Sequence, residues 1–108
     1  MDKLSFAKGL GKKILTSQYD YFKDGNSDDL EHVTNIKRII VAISDYLKSE
    51  DVPVDGINAI TESLKKTSKD LFLTSCLLNK DEGEDEDEFM EDSENWFDYI
   101  YEHGEYPR

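Results

Sequence analysis

The sequence predicts an all-α fold, a small bundle of three or four helices with a central helical hairpin and an acidic C-terminal helix. Three observations carry this. Apolar residues recur at spacings of three and four through most of the chain. No segment alternates with the period of a strand, and Val52-Pro53-Val54 is too short to count. Leu, Ile, Val and Phe together number 27 of 108 residues, enough for one modest core and above the composition of disordered chains.

The first helix is expected over roughly 2–21, with Leu4, Ala7, Leu10, Ile14 and Leu15 as its apolar face. Gly9 and Gly11 interrupt it. Each costs a helix interior about 1 kcal/mol relative to Ala, unless it admits a neighbouring helix at close range. Gly25-Asn26-Ser27 is turn chemistry, and Asp28 with Glu31 three residues on is a variant of the capping box. A second helix follows over roughly 28–49, where Val33, Ile36, Ile40, Ile43 and Leu47 repeat at +3, +4, +3, +4. Within it the run 39–43 is apolar on all sides, which predicts a helix covered all round at the centre of the domain.

Residues 49–56, containing Pro53, form the next break, after which Asp55 is placed to cap a third helix. There Ile57, Ile60, Leu64, Thr67, Leu71, Thr74 and Leu78 continue the +3/+4 pattern. Two such seams joined by a short loop predict an antiparallel hairpin. The last two turns, 71–78, carry no charge and need cover from helix one, the C-terminal segment or another chain. Residues 1–79 thus read as a helical core domain and 80–88 as an acidic flexible linker, since like charges in a block repel. Residues 89–108 read as an acidic aromatic helix and tail packed on the core, the helix spanning roughly 87–103 and ending before Gly104 and Pro107. Phe89, Met90, Trp96, Phe97 and Ile100 share one face of it, opposite Glu91, Glu94, Asp98, Glu102 and Glu105.

Charge is segregated along the chain. The formal net charge is −12, made up of +3 over residues 1–23, −4 over 24–79 and −11 over 80–108. Such a balance excludes duplex nucleic acid as a direct ligand, because phosphate binding needs a basic footprint. No apolar run approaches the ~20 residues of a membrane span. A single cysteine excludes a disulfide framework and a Cys-rich zinc site. The start of the chain lacks the apolar core of a signal peptide. Its basic stretch to Gln18 uses Lys rather than Arg, so the expected location is cytoplasmic, where Cys76 stays reduced.

Catalytic and metal chemistry find little footing. A window from Asp20 places Asp20, Asp24, Gly25, Asp28 and Glu31 at positions one, five, six, nine and twelve of a calcium-loop pattern. Phe22 at position three and Ser27 at position eight break that pattern, so the segment reads as a polar turn followed by a helix cap. Cys76 lies on an apolar face without a nearby His, and neither His32 nor His103 has an i, i+4 metal partner. No cofactor, metal site or catalytic residue is expected.

The remaining signal is aromatics interleaved with carboxylates in 96–106. Trp96, Asp98, Tyr99, Tyr101, Glu102, Glu105 and Tyr106 are the candidate partner-binding residues, because Tyr and Trp give rigid contact area and carboxylates meet Arg and Lys. Phe97 and Ile100 are assigned to the core. The three tyrosines cannot all face inward, so at least one is expected beside acid at the surface. Asp81, Glu82, Glu84, Asp85, Glu86, Asp87 and Glu88 would act at longer range, steering a basic protein toward this surface. The expected function is that of a non-enzymatic stoichiometric inhibitor that occludes the positive site of a basic protein. An immunity protein against a nuclease-type toxin has this profile, as does a DNA-mimicking inhibitor. The alternative is a homodimeric helical regulatory or adaptor protein that pairs through the uncharged end of helix three and the apolar seams.

Overall fold

The computed structural model describes residues 2–78, 82–83 and 85–107. Four helices, and no strand among the described residues, make up the chain: α1 (Lys3–Lys23), α2 (Asp29–Ser49), α3 (Val54–Leu78) and α4 (Glu86–His103). Asp2, Asp28 and Asp85 cap α1, α2 and α4, each carboxylate accepting from backbone N–H groups that the first turn leaves without partners. Asp28 Oδ1 accepts from Glu31 N at 2.8 Å, so this residue serves as a helix cap. α3 starts one residue earlier than its expected cap. Pro53 precedes its first residue and accepts from Ile57 N–H at 3.2 Å, leaving Asp55 inside the first turn. There its charge still faces the positive end of the helix.

Between α2 and α3 the chain turns through Asp51, whose φ of 58° lies in the left-handed region. Val52 N–H reaches back to Leu47 O and Asp51 N–H to Lys48 O, both at 3.1 Å. This is the double closure of a Schellman motif, with Val52 packed against the core. α3 therefore runs antiparallel to α2.

Contacts at both ends set the other directions. Lys3 Nζ meets Glu50 Oε2 at 3.0 Å, while the Phe22 ring lies 4.2 Å from that of His32, so α1 is antiparallel to α2. Lys69 meets Glu94 and Asp98, and Lys65 lies over Tyr101, so α4 is antiparallel to α3. α1 and α4 each touch both members of the α2–α3 hairpin and do not touch each other, so they occupy its two opposite grooves.

The whole α2 seam is buried: Val33, Ile36, Ile40, Ile43 and Leu47. The expectation that α2 is covered all round is corrected, because Val41 and Ala42 are exposed. Three neighbouring helices leave one side of α2 open. The α3 seam is also corrected. Its buried stripe runs Ile57, Ile60, Leu64, Ser68, Phe72, Ser75, with Leu73 beside it, whereas Thr74 and Leu78 are exposed. A +3/+4 pattern averages 3.5 residues and drifts about 20° per heptad around a straight helix. The true stripe advances 18 residues in five turns of 3.6.

In α1, Ala7, Gly11 and Leu15 are buried, but Leu10 and Ile14 stay exposed. The two glycines separate cleanly. A Cβ on Gly11 would lie 2.9 Å from both Ile43 Cδ1 and Leu64 Cδ1, so Gly11 is where α1 settles onto the hairpin. A Cβ on Gly9 would meet nothing within 4 Å. Gly9→Ala is therefore expected to stabilise the fold by up to about 1 kcal/mol, and Gly11→Ala to destabilise it by about 1–3 kcal/mol. Urea melts of the two variants check this; equal effects would remove the close approach at Gly11.

Candidate protein-binding surface at one end of the bundle

The antiparallel topology brings the C-terminal ends of α1 and α3 and the N-terminal ends of α2 and α4 to the same end of the molecule. An aromatic column holds them there. The His32 ring stacks on Phe22 at 4.2 Å, Phe22 on Phe72 at 6.0 Å, Phe72 meets Phe97 at 5.4 Å, and Phe97 stacks on Tyr101 at 6.0 Å. The five rings come from α2, α1, α3 and α4. Lys65 and Lys37 lie over the Tyr101 ring at 4.7 and 5.6 Å and finish the column with cation–π contacts. Within the uncharged end of α3, Phe72 is thus covered by Phe22 on one side and Phe97 on the other, while Thr74 and Leu78 stay exposed.

α4 carries eight carboxylates and no Lys or Arg, yet it packs. Phe97 and Ile100 are fully buried and contribute roughly 2–3 kcal/mol each. Asp85 Oδ1 accepts from Asp87 N and Glu88 N at 3.0 and 3.2 Å. Glu86, Asp87 and Glu88 occupy the first turn, where the helix dipole offsets part of their mutual repulsion. The acidic linker expected over 80–88 therefore gives way to helix at Glu86. Asp81 and Glu84 lie outside the described residues.

The candidate partner-binding residues divide. Trp96 Nε1 donates to Asp29 Oδ2 at 3.1 Å, and its ring lies 5.5 Å from Tyr106. Asp98, expected opposite the apolar face and in water, instead accepts from Lys69 Nζ at 2.9 Å, with Glu94 on the same ammonium at 2.9 Å. Burial of Lys69 pushes its pKa down, but the hydrogen bonds it donates to Asp98 and Glu94 outweigh this and hold it above the ordinary lysine value. Tyr101 is half-buried beneath its two lysines, and the same burial raises its pKa. Trp96, Asp98 and Tyr101 thus serve the docking of α4. Tyr99 is half-buried with its ring 4.3 Å from that of His103, while Glu102, Glu105 and Tyr106 are exposed, Tyr106 at 40%. The expected exposed tyrosine beside acid is Tyr106.

A larger acidic surface lies at the shared end. Residues 20–31 contribute five acids and Lys23, and the described residues of 82–92 add seven acids and no base, a balance of −11. Asp29 ties the two segments together through Trp96. Its burial raises its pKa, the Trp96 hydrogen bond lowers it, and neighbouring Asp28 raises it further, leaving it above the usual aspartate value. A hollow of about 290 Å³ opens here on α4, lined by Asp85, Glu88, Phe89 and Asp92. An aromatic floor among three carboxylates suits the aliphatic stem and charged head of Arg or Lys. Periodicity could not show that residues 20–31 join this surface; the Asp N-caps were its only trace in the sequence. No known protein family, curated protein or solved structure matches this chain.

His32 closes the column at a cost. It is buried, neither ring nitrogen has a hydrogen-bond partner, and burial pushes its pKa down to about 4. Unfolded, the ring titrates near 6.5. As pH falls below 6.5 the unfolded chain binds a proton that the folded ring refuses, so stability falls until about pH 4. Between pH 7 and 5 His32 is expected to remove about 2 kcal/mol. His32→Phe keeps the stack and abolishes this contribution. Urea titrations of both proteins at the two pH values check it, the shared carboxylates cancelling. Parallel losses in wild type and variant would mean His32 is not buried neutral.

Proposed function

We propose that the protein is a non-enzymatic, stoichiometric binder that neutralises a basic protein by covering its positively charged site. The observation that carries this reading is the acidic end of the bundle, built from two segments about sixty residues apart in sequence, the second of which carries the Phe89 hollow. A rigid array of carboxylates on helix ends meets a phosphate-binding surface without ordering a disordered tail, and its field accelerates encounter. Immunity to a nuclease-type toxin and mimicry of DNA toward a nucleic-acid-binding enzyme both use such occlusion. We place its action in the cytoplasm, where Cys76 remains a thiol. Cover of Phe72 and Leu73 by α1 and α4 favours the binder over the dimeric adaptor, whose pairing surface was that same end of α3.

The test is capture followed by titration. Proteins retained by the immobilised chain from its host are identified, and the purified partner's nucleic-acid binding or cleavage is titrated with the free protein. Inhibition is expected to be complete near a 1:1 ratio. Replacing Glu86, Asp87, Glu88 and Glu91 by their amides is expected to slow association by about tenfold or more at low salt and to flatten the salt dependence. Full inhibition by the neutralised variant at unchanged rate would refute the reading.

A further inference from the structure

The open side of α2 defines a second surface of opposite character. A groove of about 260 Å³ runs between α1 and α2, lined by Leu10, Ile14, Ile39, Ala42, Ile43 and Tyr46. Leu10 and Ile14 are 43% and 36% exposed, and Phe6, at 48%, adds an exposed ring on α1 one turn before Leu10. Charge on these helices departs sharply from the rest of the molecule. Residues 3–19 and 32–44 contain six Lys and Arg and no acid, in a chain with 25 acids. Lys13 stands beside Ile14 on the α1 rim, and Arg38 lines the adjoining hollow on α2 with Val41 and Ala42. Asp45 is the one acid there.

We infer that this groove binds an amphipathic helix of a partner protein, its apolar face seated on Leu10, Ile14 and Ile39 and its flanks acidic, facing Lys13 and Arg38. An exposed apolar trough between two parallel ridges accepts side chains at i, i+3/i+4 and i+7 of a third helix. The basic rim selects the sign of its flanks. A second copy of this chain fits worse, since two such faces would bring Lys13 and Arg38 of each copy together. A flat anionic bilayer does not reach the floor formed by Ile39 and Ile43. This surface lies apart from the acidic end, so the two occupants need not compete.

The test uses the full chain and a synthetic amphipathic helix of about five turns with Leu on one face and Glu on its flanks, beside the same peptide with Lys for every Glu. Methyl NMR is expected to show shifts at Leu10, Ile14 and Ile39 and none at Ile100. The Lys peptide is expected to bind at least about tenfold more weakly, and Lys13→Glu with Arg38→Glu to reverse the preference. Both side chains are exposed, so the doubly substituted protein should retain wild-type circular dichroism, and Leu10→Asp should abolish binding by either protein. Equal binding of the two peptides, shifts centred on α4, or no binding of the Glu peptide would each overturn the inference. So would titration of the same methyls by protein concentration alone, which marks a dimer, or by phosphatidylserine vesicles, which marks a membrane face.

Discussion

The aromatic column is the contact on which the rest of the molecule depends. Four helices are held in register by His32, Phe22, Phe72, Phe97 and Tyr101, one continuous series of ring contacts reaching every helix. Phe72 and Phe97 are the two largest fully buried side chains, and they join the helix of greatest like charge to the hairpin. Without that anchor, the carboxylates of the N-terminal half of α4 have no reason to share an end of the bundle with Asp28, Asp29 and Glu31. The electrostatics of the acidic end are therefore imposed by packing, with hydrophobic burial and ring contacts opposing the repulsion that closing this end creates.

Local devices lower that repulsion. Two of the helices at the acidic end present their N-termini there, each capped by an Asp that satisfies backbone donors. Lys69, with its side chain 18% exposed, gathers Glu94 and Asp98 on the inner edge of α4. The acids in the first turns of α2 and α4 thus sit where helix dipoles absorb part of their charge, and Lys69 absorbs part of that of Glu94 and Asp98. Lys13 and Arg38 are left beside a separate apolar face. One small bundle presents two chemically distinct surfaces.

Much of the fold was legible in sequence, because burial along one helix is periodic. The α2 seam, from Val33 to Leu47, and the α4 anchors Phe97 and Ile100 lie where their spacing put them. Periodicity lost track where helix geometry departs from 3.5, so the end of the α3 stripe passed to Phe72 and Ser75 instead of Leu71 and Leu78. It also overstated burial of Leu10, Ile14 and Val41, since an apolar residue is free to face water when no fourth neighbour covers it. The site was less legible than the core. Trp96 to Asp29 spans 67 positions and Lys69 to Asp98 spans 29, and such pairs leave no periodic mark. Trp96, Asp98 and Tyr101 therefore read as partner-binding candidates in sequence, whereas their contacts fasten α4 to the bundle.

Proton–proton contacts among the column's rings measure this arrangement most directly. Cross-peaks from Phe72 to both Phe22 and Phe97 in a nuclear Overhauser spectrum of the full chain, with slow exchange of the Trp96 indole proton, are the expected result. An α4 with rapidly exchanging amides and no Phe72–Phe97 cross-peak would mean that the helix is undocked, and that the acidic end does not exist as a single surface.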